Sequence, residues 1–537
     1  MKVLSIMAFG RRLVSARAIV LSLAALSFIS LCALPLLYML SLSVVGEDGA
    51  LNFRNYFRLF TEARQRDLFL NSLTLALATS LLATVIGAPL GLLLARAELR
   101  AKKFLRLALT GPLIVPPYVM GLAWLYLGGS SGIVARLTGR DMLSPLTYSL
   151  TGAVIVLAVC FYPLSMLATE AAARRVDASL EEAALLVAAP RRVLWRITLP
   201  IVAPSIVAAA LIIFILALAE FGVPGLLRVP VFTTEVFTAF SALYDFGAAT
   251  ALAAPLLAAA AAAAIAARFI IGERLLVRRR GARHRSPLSI SRRRAVATAS
   301  IALASLVALP MAALAAEAGR AERVILALRS SIEVITNSLL LASAGASVAA
   351  VIGLLLGYAR ARMRRLASLI DLSMVVAFAA PGTVIGVGLI GLWNRPGLME
   401  EIYRSRSIIL IAYLARLIPV SSLILAAIAR QVPSSFEEAA EVAGAKWTRS
   451  FARIVIPQMR AGIVAAWVVS FILAFGELGA TALVAPPGQA TLPVHIYTLI
   501  ANAPSGEVAA LAIMQSAVAM TMLALFAVFI GREKRLL

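Results

Sequence analysis

Histidine and cysteine are nearly missing from this chain, with two of each: His284 and His495, Cys32 and Cys160. Neither pair has the spacing of a disulfide framework or a zinc site, so no metal centre or haem is expected from this chain alone. A Gly-x4-Gly-Lys-Ser/Thr phosphate loop is also lacking, so no nucleotide site of that kind is expected. No acidic cluster stands ready for acid–base chemistry, which argues against a membrane enzyme. Charge is scarce too. Charged residues make up 14% and hydrophobic ones 61%, where an ordinary soluble domain has about 25% and about 45–50%. These absences leave a polytopic membrane protein.

Apolar runs long enough to cross a bilayer, about 20 residues, fall near 18–43, 70–95, 105–127, 150–169, 199–221 and 246–271. A second set falls near 295–316, 337–359, 368–393, 407–428, 455–478 and 507–531. The first run exceeds the ~7–15 apolar residues of a signal peptide and has no small-residue cleavage site after it, so it is read as a retained span. The expected fold is all-α, a multi-pass protein of twelve transmembrane helices. It divides into a first six-helix half over 1–271, a basic linker over 272–294 and a second half over 295–537. The linker, Arg278-Arg-Arg-Gly-Ala-Arg-His-Arg, suits a connector touching anionic lipid headgroups.

The net charge of +24 is explained by orientation. With the N-terminus inside, inner segments hold 36 Lys/Arg against 11 Asp/Glu, and outer segments 13 against 15. That asymmetry is the positive-inside rule. It places both termini and the linker in the cytoplasm and makes a nucleic-acid partner unnecessary.

The halves repeat each other. Asn71-Ser-Leu opens the second run and Asn337-Ser-Leu the eighth. Both runs carry internal glycines, Gly87 and Gly91 against Gly353 and Gly357, and close on an arginine, Arg96 and Arg360. Small residues let helices approach closely in lipid, where packing drives association. The third and ninth runs hold Pro116-Pro117-Tyr118 and Pro381-Gly382, which interrupt helical hydrogen bonding. Each half has an even number of spans, so the repeats are parallel and a pathway would lie between them.

A polar loop follows the fourth span of each half. The copies are Leu180-Glu-Glu-Ala-Ala through Pro200 and Phe436-Glu-Glu-Ala-Ala through Pro457. In the second, Ser434 or Ser435 can cap a helix whose first turn is acidic, and Gly444 can end it in a left-handed conformation. A second short helix over Lys446 to Arg453 would follow. The result is a small helix–turn–helix suited to docking on another protein. The first copy has Val187-Ala188-Ala189-Pro190 instead of a glycine turn and is one residue shorter between its glutamate and its proline. Pro190 is a candidate start for its second helix.

Glu438-Ala-Ala-x3-Gly444-x9-Ile454-x-Ile456-Pro457 resembles the EAA loop of permease subunits in binding-protein-dependent ABC importers. Two fused six-span halves are similar to the ferric-iron and thiamine branch of that family, and the resemblance covers nearly the whole chain. It implies a type I importer permease fold, with ferric iron as the first candidate cargo and thiamine the next. It also implies an extracytoplasmic substrate-binding protein and two cytoplasmic ATPase subunits, which would hold ATP and magnesium; the chain itself would hold no cofactor. Each loop would form a coupling helix seated in an ATPase cleft. The residues concerned would be Glu181, Glu182, Ala183, Ala184 and Pro200 in the first loop. In the second they would be Glu437, Glu438, Ala439, Ala440, Gly444 and Pro457. Glu182 and Glu438 would orient or anchor the helices against a basic group on the ATPase, and Pro200 and Pro457 would start the following spans.

Charged residues within the apolar runs suggest a pathway. Arg416 lies mid-span, where an unpaired charge costs at least ~2.5–3.5 kcal/mol, and Cys160 holds the equivalent position in the first half. Glu220 and Glu477 follow Pro200 and Pro457 by about 20 residues, roughly 30 Å of helix, and are expected near the outer surface. Arg416, Glu220 and Glu477, with the breaks at Pro117 and Pro381, are the candidate pathway and gate residues. The alternative is an ion-coupled secondary transporter of 6+6 design. That reading wants midplane acids, and it leaves the duplicated loops unexplained.

Overall fold

The architecture comes from a computed structural model, which describes residues 16–44, 53, 56–57, 61–97, 102–274 and 291–536. Most of the basic linker falls outside these residues. The helices recur in the same order in both halves. The first set is α1 (Ala16–Val44), α2 (Ala63–Arg96), α3 (Lys102–Ile114), α4 (Pro117–Gly128), α5 (Leu150–Ala173), α6 (Ala178–Leu185), α7 (Pro190–Leu218), α8 (Phe232–Ser241) and α9 (Phe246–Arg274). The second is α10 (Arg294–Ala318), α11 (Ile332–Arg362), α12 (Arg364–Ala379), α13 (Gly382–Trp393), α14 (Ser407–Ala429), α15 (Ser435–Val442), α16 (Trp447–Phe475), α17 (Leu492–Asn502) and α18 (Ser505–Leu536). Among the described residues, 11 helices are long and apolar enough to cross a membrane, and the bent pair formed by α12 and α13 makes a possible twelfth.

The runs read as single spans at 105–127 and 368–393 are each two helices. Their breaks fall at Val115-Pro116 and Ala380-Pro381, and the second turns the chain by 100° between Leu372–Ala379 and α13. Pro116 precedes another proline and Ala380 precedes Pro381. A residue before proline is held out of the helical region, and these two have ψ of 137° and 126°.

Each half is built on a three-helix core, α2, α5 and α7 in one and α11, α14 and α16 in the other. The paired glycines make these contacts possible. A Cβ on Gly91 would fall on the Met166 carbonyl, and one on Gly353 would lie 2.5 Å from the Ser421 Cβ. The close approach expected from small residues in lipid is therefore present in both halves.

Pro200 and Pro457, expected to start spans, lie inside continuous helices. α7 begins ten residues before Pro200, at Pro190, and α16 begins at Trp447. A π-helical turn precedes each proline, Leu194–Thr198 and Phe451–Val455. The same device precedes Pro35 and Pro310, at Ile29–Ala33 and Ala304–Ala308. Proline has no N–H and its ring crowds the carbonyl one turn back. A widened turn makes room for the ring without breaking the helix.

The two halves exchange their first helices. α1 packs on α11, α13 and α14 of the second half as well as on α9 of its own, while α10 packs on α3 and α4 of the first half as well as on α18 of its own. At the end of the bundle away from α6 and α15, the Asn-Ser pairs act alike. The Asn71 amide donates to the Pro230 carbonyl at 3.2 Å, and Ser72 Oγ accepts from the Phe232 N–H at 2.8 Å. Asn337 donates to the Ala490 carbonyl at 3.4 Å, and Ser338 Oγ accepts from Leu492 N–H at 2.6 Å. Each serine thus satisfies an orphan N–H in the first turn of α8 or α17.

Candidate functional site

The two EAA-type loops stand at the same end of the bundle. Arg17, at the start of α1, places its guanidinium 5.7 Å from the Tyr358 ring, beside the second loop. α1 runs to the opposite end, and α2 returns to finish at Arg96, beside the first loop.

In the first loop, Asp177 caps α6 by accepting from the Ser179 N–H at 3.0 Å. α6 then turns Glu181 inward, where its side chain is 0% exposed. Its Oε1 lies 2.5 Å from Arg96 Nη2 and accepts from Thr198 Oγ1 at 2.7 Å. One carboxylate therefore ties the loop both to the end of α2 and to the π turn of α7.

The second loop is tied differently. Glu437 Oε1 accepts from Arg362 Nε at 2.8 Å, its Oε2 accepts from the Tyr358 hydroxyl at 2.5 Å, and Arg362 Nη2 also donates to the Val432 carbonyl. Trp447 Nε1 donates to the Tyr358 hydroxyl at 3.2 Å, and its ring stacks on Phe451 at 5.1 Å. The turn after α15 uses Gly444 at φ +79°, with nothing within 4 Å of where a Cβ would stand. The glycine is needed for its backbone alone. In the first loop Pro190 does open the second helix.

Within this chain the anchors are Glu181 and Glu437. Glu182 and Glu438, expected to orient or anchor the helices against an ATPase, face outward with Ala183 and Ala439, where a partner can reach them, while Ala184 and Ala440 are half-buried. The arginine matching Arg96 is Arg362 rather than Arg360. The sequence reading missed Thr198, Tyr358, Arg362 and Trp447. The equal spacing from Gly91 to Arg96 and Gly357 to Arg362 is the signal that would have found the arginine. Each loop also exposes apolar side chains, Leu186 at 87% and Val187 at 85% in the first and Val442 at 90% in the second.

The candidate pathway residues converge on a cavity of about 140 Å³ lined by Pro117, Cys160, Glu220, Arg416, Gly476 and Glu477. Arg416 Nη1 lies 3.3 Å from Glu477 Oε1. Glu477 also accepts from the Ala480 and Thr481 N–H groups at 2.9 and 3.0 Å, and Glu220 accepts from Gly222 N–H at 2.9 Å. Pro381 delivers Gly382 against this pair, where a Cβ would stand 2.6 Å from Arg416 Nη1 and 2.9 Å from Glu477 Oε1. Glu220 and Glu477 are thus not at the end of the bundle. The expected ~30 Å was counted with Pro200 as the start of the crossing, but α7 begins ten residues earlier, and Glu477 pairs with Arg416, nine residues inside α14.

Across the cavity wall, the Tyr118 hydroxyl of α4 donates to Gln515 Oε1, and Gln515 Nε2 donates to the Phe475 carbonyl at 2.7 Å. This bridge joins the two halves just before Gly476 and Glu477.

The sequence pattern of the "Binding-protein-dependent transport system inner membrane component" family matches residues 87–279 and again 349–533. The chain belongs to that family. It is a fused two-domain permease of a binding-protein-dependent ABC importer, with the helical fold of type I permeases and many membrane-crossing helices. The permease is 24% identical over 455 residues to the Fe(3+)-transport system permease protein FbpB 2 of Haemophilus influenzae, covering 82% of this chain and 85% of that one. A putative ferric transport system permease protein, FbpB 1, of the same species is 26% identical over 79% of this chain and 71% of its own. A molybdenum transport system permease protein, ModB, of Mycobacterium bovis is 33% identical over 31% of this chain and 63% of its own. Such permeases work with a substrate-binding protein and ATPase partners.

Proposed function

We propose that this permease carries ferric iron from an extracytoplasmic binding protein into the cytoplasm, and that two ATPase subunits, holding ATP and magnesium, drive it through α6 and α15. The observation that carries the reading is the anchoring of each loop. Glu181 and Glu437 tie each short helix to its own half, while Leu186, Val187 and Val442 stand in solvent. A rigid element with an exposed apolar tip is a lever that a partner can grip and move.

On this reading the loop end faces the cytoplasm, in keeping with the positive-inside asymmetry, and both termini lie there. When the ATPase subunits close, α6 and α15 move and the cores follow. The constriction at Glu220, Arg416 and Glu477 then opens and closes as the gate. Two carboxylates against one guanidinium suit a cation, and both long-range relatives carry ferric transport in their names. Arg416 favours a second reading, molybdate, which the ModB relatives also suggest.

The test is reconstitution with the cognate ATPase subunits and binding protein. Loading the binding protein with ferric iron should stimulate ATP hydrolysis, and loading with molybdate should not; the reverse result would move the assignment to the oxyanion. Glu438→Lys should abolish uptake with the permease still inserted. Normal uptake in that variant would sink the coupling assignment.

A further inference from the structure

We propose that the seam between α1 and the second half is a binding site for one anionic phospholipid, with its phosphate on Arg17 and an acyl chain in the cavity beside it. The leaflet rests on the cytoplasmic placement of the loop end argued above; the cavity does not. The cavity holds about 600 Å³ between α1, the end of α11 and α12. Leu21, Ala25, Phe28, Leu356 and Met374 line it, and among the described lining residues the one that carries charge is Arg17.

Shape and charge name the occupant. The α1 lining runs from Arg17 to Ala33, roughly 24 Å of helix. That matches one leaflet with its headgroups, about half of 40–45 Å. A wall this apolar does not hold ordered water, whereas an acyl chain fills it. The guanidinium at the headgroup end stands by an aromatic ring, Tyr358, and among the described residues it shares a cleft with Glu437, Glu438 and Glu441 without reaching ion-pair distance of them. It is thus available to a phosphate, which arginine recognises well.

The position gives the site a consequence. Arg17 also lines the cleft formed by Tyr358, Arg362, Glu437 and Trp447. A lipid there would staple the exchanged helix α1 to the second half, next to the residues that hold α15.

The test uses the purified full-length chain and native mass spectrometry with phosphatidylglycerol and phosphatidylcholine. Wild type should retain phosphatidylglycerol in preference by about fivefold, the effect of one basic residue at an anionic headgroup. Arg17→Gln should erase the preference while still holding lipid, and Ala25→Phe, which fills the cavity, should reduce both. An unchanged lipid ratio in Arg17→Gln would overturn the proposal. So would lipid retention that appears only after residues 2–14 are deleted, or a mass showing a second copy of the chain on that face. Retention is read without ATPase subunits or cargo, so failure here leaves the transport assignment standing, and the reverse also holds.

Discussion

Glu181→Ala is the perturbation that tests the anchoring of the first loop most severely. The carboxylate is 0% exposed and its partner Arg96 is 5% exposed, so removing it strands a buried guanidinium. Breaking a buried ion pair by deleting one partner costs about 3–5 kcal/mol, and Thr198 also loses its acceptor. Glu181 is the residue through which segment 178–189 reaches both Arg96 and Thr198, so the cost should fall on local opening rather than on the whole fold. At 1.4 kcal/mol per decade, amide exchange across that segment should accelerate by roughly 10²–10⁴-fold, while α5 and α11 keep their protection. The apolar pair Arg96→Met with Glu181→Leu should recover most of the loss, since a well-packed hydrophobic replacement restores what a buried pair contributes. Hydrogen exchange on the purified chain measures both variants. Unchanged exchange in Glu181→Ala would refute the anchoring argument, and so would a double variant as loose as Glu181→Ala. The same deletion at Glu437 should cost less, about 1.5–3 kcal/mol, because Arg362 and Glu437 are 15% and 17% exposed and Arg362 keeps the Val432 carbonyl.

Gly444→Ala should lower stability by only about 1–2 kcal/mol, the cost of a left-handed residue, because nothing stands near its Cβ; Gly91→Leu should prevent the α2–α5 core from closing, and thermal melting of the solubilised protein separates them. Gln515→Leu leaves the buried Tyr118 hydroxyl and the Phe475 carbonyl unpaired, at about 1–3 kcal/mol, which a lower melting temperature would report. His495, near Ser331, is held below the ordinary imidazole range by burial, partly offset by Glu507. The unfolded ring therefore takes its proton first as pH falls through about 6.5, so its contribution is present above that pH and lost below it. His495→Gln should flatten the pH dependence of melting between pH 5 and 7 that this residue produces; an unaltered profile would show that another group is responsible.

Apolar runs, their repetition and the paired loops were legible because the constraint behind each is written in residue type. Length and lack of charge mark a crossing, and the EAA pattern marks the loop. Direction was not legible. A helix in lipid is apolar on every face, so no periodicity shows that α1 belongs against α11 and α14 as well as against α9 of its own half. Two adjacent glutamates look alike in sequence, and only the position of Arg96 and Arg362 decides that Glu181 and Glu437 turn inward. Proline misled in both directions. Pro200 and Pro457 read as helix starts but sit inside helices, relieved by π turns, whereas Pro116 and Pro381 read as positions within spans but end them. The neighbour in the chain decides. Pro116 is itself followed by proline, while Pro200 follows a leucine that the widened turn can hold in helical geometry.

The exchanged helix α1 sets a schedule for synthesis. Its contacts on α14 do not exist until Ala429 has been made, and the ~385 residues after Val44 take roughly 20–80 s at ~5–20 residues per second. For that interval α1 must wait in the bilayer without those contacts, with α9 of its own half to pack on. Its sequence permits this, since no charged residue follows Arg17 before Val44. A single acidic side chain placed on that waiting stretch would harm biogenesis before it ever disturbed the finished machine.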